Sequence, residues 1–200
     1  METRKLPVYK MIIDENEQGQ LGVDYVAVVD EPAIERAFMA FANQQRMEFN
    51  LSEDKQILSG ALMIPNYPIY RFDNKLGEYY VYFDKQTISN IAQRFFKNGY
   101  SNNVNKMHDK AQKVDSIFMF ESFIINSDRG INTPKGFAPM PDGTWFASYK
   151  VEDKDFWEKE IKSGNFKGFS IEGLFDLELQ TPDTDEALLE KIKSILNSTL

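Results

Sequence analysis

An α+β protein is what these residues predict: a mainly antiparallel sheet or barrel of about seven or eight strands, with helices packed outside it. Three observations carry the prediction. Short runs with period-two alternation, bounded by turn residues, outnumber the helical patterns. The strands do not alternate regularly with helices, which disfavours a doubly wound parallel sheet. The composition is that of a folded chain: 200 residues, 42% hydrophobic and 14% aromatic, with 16 Phe and 9 Tyr. That content speaks against disorder, and the length favours one domain with a proper core.

In chain order, Leu6 to Ile13 and Val23 to Val29 read as strands, separated by a polar turn at Glu15–Gly19. Asp30-Glu-Pro-Ala then opens a helix, with Pro32 in its first turn and an apolar stripe of Ala33, Ile34, Ala37, Phe38 and Phe41. Residues 46–51 and 55–64 read as strands, the second broken by Pro65-Asn-Tyr-Pro68. A strand from Glu78 to Phe83 leads into Asp84, an N-cap, and a helix carrying Ile88, Ile91, Ala92, Phe95 and Phe96 that Gly99 stops. The run from Val114 to Ile125 is apolar on both faces and reads as a buried strand. Residues 144–151 form a strand, 153–163 a short helix ended by Gly164, and 168–179 a strand. A last helix from about 184 carries Leu188, Leu189, Ile192, Ile195 and Leu196. The domain assignment is therefore 1–180 for the body and 181–200 for a C-terminal helical tail, with Thr181–Glu186 as linker.

The composition excludes several function classes. The formal net charge is −8, so there is no basic excess to release counterions from a phosphate backbone, and we expect no nucleic-acid partner. There is no cysteine, which removes disulfide scaffolds, Cys-based zinc sites, Fe–S clusters and thiol nucleophiles. A single histidine excludes a His-rich metal site, and neither a metal nor a cofactor is expected. No apolar run reaches the ~18 residues of a membrane span, and the first residues lead into alternation instead of a signal-peptide apolar region. We expect a soluble intracellular protein with no membrane partner.

Four residues stand out chemically. In Gly168-Phe-Ser-Ile-Glu-Gly173, period two puts Ser170 and Glu172 on one strand face, with Cα atoms roughly 6.5–7 Å apart. A half-buried strand with a wet face would give the same pattern. This is no nucleophile elbow of the Gly-x-Ser-x-Gly type, since Glu172 stands where that motif has its second Gly. A reactive Ser170 would act from within a strand. His108 lies in Asn105-Lys-Met-His-Asp-Lys110, read as a polar loop. A histidine can serve as general base near neutral pH, and a serine hydroxyl needs one to become a nucleophile. Glu121 sits in the otherwise apolar Ile117-Phe-Met-Phe-Glu-Ser-Phe-Ile-Ile125. A buried carboxylate there would need a partner such as an imidazole N–H; an edge position open to solvent, or a structural ion pair, explains it equally well. The loop from Asp128 to Gly136 has backbone N–H groups to offer an oxyanion.

Several segments, in order, resemble the phage prohead proteases, in the branch related to the serine protease domain of defective prophages of Gram-positive bacteria. They are Val26-Ala-Val-Val-Asp-Glu-Pro-Ala-Ile34, Gly60-Ala-Leu-Met-Ile-Pro65 with Ile69-Tyr-Arg71, Val104-Asn-Lys-Met-His-Asp109, Phe120-Glu-Ser-Phe-Ile124 and Gly168-Phe-Ser-Ile-Glu-Gly173. The resemblance implies a serine endopeptidase with a fold like the herpesvirus assemblin-type proteases, an antiparallel β-barrel of about seven strands wrapped by helices. It implies cleavage of scaffold and major capsid protein segments, and of the protease itself, inside the procapsid in the host cytoplasm. By analogy it extends to a homodimer. Carried over, Ser170 is the nucleophile and His108 the base. The herpesvirus enzymes use a second histidine as third member; this chain has none, so the role passes to Glu121, with Glu172 as runner-up. The rival readings are a catalytically silent structural or interaction component of the prohead, an unrelated interaction module, and a metal-dependent hydrolase.

Overall fold

The computed structural model describes residues 6–13, 22–30, 50–52 and 55–180. The helix expected after Asp30 and the one expected after residue 184 lie outside these residues. Among the described residues twelve strands make three four-stranded sheets, ordered β12-β1-β6-β5, β3-β4-β10-β9 and β11-β2-β7-β8. The first contains β1 (Val8–Ile12), β5 (Ile69–Asp73), β6 (Gly77–Tyr82) and β12 (Asp176–Gln180). The second contains β3 (Asn50–Ser52), β4 (Ile57–Met63), β9 (Ile117–Ile124) and β10 (Trp145–Val151). The third contains β2 (Gly22–Val29), β7 (Val104–Lys106), β8 (Asp109–Lys113) and β11 (Gly168–Leu174). Most pairs are antiparallel; β1 with β6 and β2 with β7 are parallel.

The expected barrel surrounded by helices is overturned. Among the described residues the protein is mostly β, helices are few, and no sheet closes on itself. The reason lies in how single expected strands divide. The 168–179 strand breaks at Phe175: β11 pairs with β2, while β12 crosses to pair with β1 in another sheet. β1 and β2, consecutive in the chain, likewise belong to different sheets. Closure needs one unbroken ladder, and these crossings divide it into three.

Among the described residues one full helix, α1 (Lys85–Lys97), covers the core. Its N-cap is Asp84, whose carboxylate accepts the Thr87 N–H at 2.7 Å, and Gly99 beyond its end takes φ +74°, as the sequence pattern implies. Lys10 of β1 pairs with the same carboxylate and ties the helix start to the first sheet. The helix buries Ile88, Ile91, Ala92 and Phe95, each of the larger three contributing about 1.5–3 kcal/mol. Phe95 meets Trp145 of β10 edge-to-face at 5.4 Å. The second and third sheets touch through Tyr149 and Phe169, with ring centroids 4.9 Å apart. The helix expected over 153–163 is a single turn, α2 (Lys154–Phe156), continued by a π-helical turn from Trp157 to Ile161.

Candidate functional site

The third sheet turns one face to the core and carries polar side chains on the other. Val26, Val28, Val104 and Phe169 belong to the core cluster. Their strand neighbours Ala27, Asn105 and Ser170 therefore face the other way. Register aligns them: Ser170 is opposite Ala27, and Ala27 is opposite Asn105. Glu172 shares this face two residues along the strand. Ala27, Asn105 and Ser170 are all buried.

The polar loop expected around His108 is a tight hairpin turn joining β7 to β8, with Lys106 opposite Asp109. Both turn residues are left-handed, Met107 at φ +52° and His108 at +62°. Positive φ at both central positions is the pattern of a type I′ hairpin, which ordinarily selects Asn-Gly. Met and His there hold strained backbone, a condition that clusters at functional sites. The turn brings His108 Nδ1 within 3.8 Å of Glu172 Oε2. That separation is a close polar contact, longer than a hydrogen bond. Catalytic hydrogen bonds commonly tighten only when substrate is bound. With Nδ1 toward a carboxylate, Nε2 is the nitrogen left for a hydroxyl, the orientation used in serine hydrolase triads.

Glu172 is held from several sides. Asn105 Nδ2 donates to its Oε2 at 2.9 Å, and Lys110 Nζ lies 3.6 Å from Oε1. Lys110 also bonds Asp24 at 2.6 Å, and that hydrogen bond, with the two carboxylates' charge, raises the Lys110 pKa. Asn105 is fully buried, and its Oδ1 has no partner among the described residues. Residue-by-residue reading missed Asn105 as a functional position. The signal was its place in the strand alternation beside core-facing Val104, three residues before the histidine, but its contact is two strands away.

Ser170 is 7% exposed, not on the wet face its alternation suggested, and no side-chain hydrogen bond reaches it among the described residues. It lines a cleft of about 60 Å³ with Arg71 and mostly apolar neighbours, among them Met11, Leu62, Ile69 and Phe175. A second, more polar cleft of about 250 Å³ opens beside Glu172, Asp24 and Lys110. Both clefts are lined by residues of β11. Gly173 lets β2 approach β11 closely just beyond Glu172. The pairing of β11 with β2 shifts between Glu172 and Gly173, and a Cβ at 173 would sit 2.0 Å from the Gly22 carbonyl oxygen.

Glu121 stands elsewhere. It is on β9, an edge strand of the second sheet, opposite Ser148 of β10, whose Oγ donates to Glu121 Oε2 at 2.7 Å. A bulge between Ser148 and Tyr149 leaves Phe120 without a partner, so Phe120 and Glu121 are both exposed. The run read as buried on both faces thus has an open edge. Among the described residues the one carboxylate within 4.0 Å of His108 is Glu172. The start of the Asp128–Gly136 loop is tied up in its own turn. The N–H groups of Ser127, Arg129, Gly130 and Ile131 already bond Asp142, Asn126, Ser127 and Asn126, so they are committed internally.

Among the described residues, no group of three or more His, Asp or Glu is arranged to hold a metal ion, and no helix is long and apolar enough to cross a membrane. Neither a curated protein nor a solved structure matches the chain. One family model does, and its match begins after the Val26–Ile34 segment but spans His108, Glu121, Ser170 and Glu172. Residues 46–178, most of the sequence, fit the family described as "Putative phage serine protease XkdF", and the chain belongs to that family.

Proposed function

We propose that this protein is a serine endopeptidase of phage prohead maturation, cleaving scaffold and major capsid protein segments, and itself, within the procapsid in the host cytoplasm. The observation that carries the reading is the contact of His108 with Glu172, 3.8 Å apart, on the face that Glu172 shares with Ser170. Family membership supports the reaction class.

In this mechanism Ser170 Oγ attacks the scissile carbonyl carbon while His108 Nε2 takes its proton. The C–N bond breaks as the imidazolium returns that proton to the leaving amine, and an acyl-enzyme forms. Water, deprotonated by the same imidazole, releases the acid and restores Ser170. Glu172 takes the third role in place of Glu121: it orients the ring and stabilises the imidazolium, and Asn105 holds Glu172.

The test is co-expression with the neighbouring capsid and scaffold proteins, wild type against Ser170→Ala, read by intact mass. Discrete fragments that vanish in Ser170→Ala are expected, and they give the cleavage sites. Fragments that persist in the variant overturn the nucleophile. No fragments from either, with no fluorophosphonate labelling of Ser170, would leave a catalytically silent prohead component.

A further inference from the structure

We infer that Arg71 sets the specificity of this site, its guanidinium receiving the carboxylate of an Asp or Glu side chain on the peptide seated beside Ser170. The inference rests on the protease reading and names its substrate class. Arg71 and Ser170 line the same cleft, and most of the other lining residues are apolar. Arg71 is half-buried on β5, opposite Tyr79 of β6. It spends one donor locally, Nη1 to the Tyr70 carbonyl at 2.9 Å. Among the described residues no carboxylate lies within the 4.0 Å of an ion pair.

A guanidinium presents five N–H donors in a rigid fork and stays charged in proteins. Burial without a counter-ion disfavours it and pulls its pKa down. A substrate carboxylate would relieve that condition with a bidentate, charge-assisted pair. The strand beside it suits an extended peptide. Among the described residues β11 has a ladder partner on one side only, β2, so its other edge can accept a substrate strand. Alternate side chains of such a strand would point toward the cleft. The net charge of −8 repels acidic peptides at long range, so their selection needs a local cation.

The experiment uses the full chain and a pool of acetylated decapeptides with Glu, Gln or Lys at one fixed position, each made as the C-terminal amide and the free acid. Wild type should cleave Glu amides about 10- to 100-fold faster than Gln amides. In Arg71→Gln the Glu-to-Gln ratio should fall to within about threefold of one, and Arg71→Lys, which keeps charge but loses the fork, should fall between. Should Arg71→Gln lose its thermal unfolding transition, Arg71→Lys decides, and an unchanged ratio there overturns the inference. So does an equal wild-type rate on Glu and Gln, a preference that survives Arg71→Gln, or an equal loss on both peptides, which would place Arg71 in the chemistry. A preference confined to free acids assigns the cation to a chain end and overturns the side-chain assignment. Fluorescence polarisation on Ser170→Ala keeps the two readings separable. Selective binding of Glu amides that Arg71→Gln abolishes supports the inference even if wild type cleaves nothing. Equal binding of Glu and Gln amides overturns it.

Discussion

Glu121 and Glu172 are both strand carboxylates that accept one short hydrogen bond, and they differ in what surrounds that bond. Glu121 sits on an open edge and takes the Ser148 hydroxyl, which also meets Ser59 Oγ at 2.9 Å. Glu172 sits where three strands align, with a buried amide, an imidazole and an ammonium converging on it. In the sequence Glu121 is the more conspicuous, a charge within an apolar run. In space the bulge at Phe120 turns it to solvent, where a carboxylate needs no explanation. An unusual local pattern therefore points less reliably to chemistry than a convergence of strands does.

The largest effect should separate the two acids directly. Glu172→Gln is expected to lower kcat/KM by about 10²- to 10⁴-fold, in the range seen when a triad acid becomes an amide. Glu121→Gln should change it by less than about twofold. Equal losses in steady-state assays would break the comparison. Gly173→Ala tests what holds Glu172 in place. Its new Cβ would meet the Gly22 carbonyl oxygen at 2.0 Å, a backbone atom that cannot swing aside. A loss of about 3 kcal/mol in urea unfolding is expected, at the upper end of overpacking effects. An unchanged midpoint would show that the bulge does not fix the strand.

Asp84 supplies a purely structural carboxylate for calibration. Burial pushes its pKa up, but hydrogen bonds from Lys10 and Thr87 outweigh burial and hold it below the ordinary carboxylate value. A depressed carboxylate contributes stability above its unfolded pKa of ~3.9 and loses it as pH falls through the folded value. Asp84→Ala should cost about 1 kcal/mol at neutral pH, and the difference from wild type should shrink below about pH 4. Thermal unfolding from pH 3 to 7 checks this, and peptidase activity of the folded variant should remain. The smallest effect is at Tyr149, next to Ser148. Its hydroxyl is buried with no partner among the described residues, and burial pushes its pKa well up. Tyr149→Phe should leave the melting temperature unchanged or slightly higher, within about 1 kcal/mol, because it removes a desolvated group that makes no bond.

The parts of this molecule legible in its residues are those governed by short-range rules. The cap at Asp84, the stop at Gly99 and the apolar stripe between them follow from helix-end chemistry and period 3.6. The shared face of Ser170 and Glu172 follows from period two. What was not legible depends on pairing. No local pattern marks Phe175 as the point where one strand leaves a sheet and another begins. None gives the alignment of Ser170, Ala27 and Asn105, or the bulge that exposes Glu121. The β7–β8 hairpin was hidden for a different reason: Met107-His108 is the wrong chemistry for the turn it makes.

That mismatch has an evolutionary consequence. The residues most at ease at position 108 are Gly, Asn and Asp, and none of them is a base near neutral pH. Selection for folding alone would replace the imidazole; selection for peptide cleavage must keep it against that drift. On the protease reading, a lineage with no further need of peptide cleavage would be expected to lose this histidine early and become sturdier for it, so that residue 108 doubles as a record of whether that activity is still under selection.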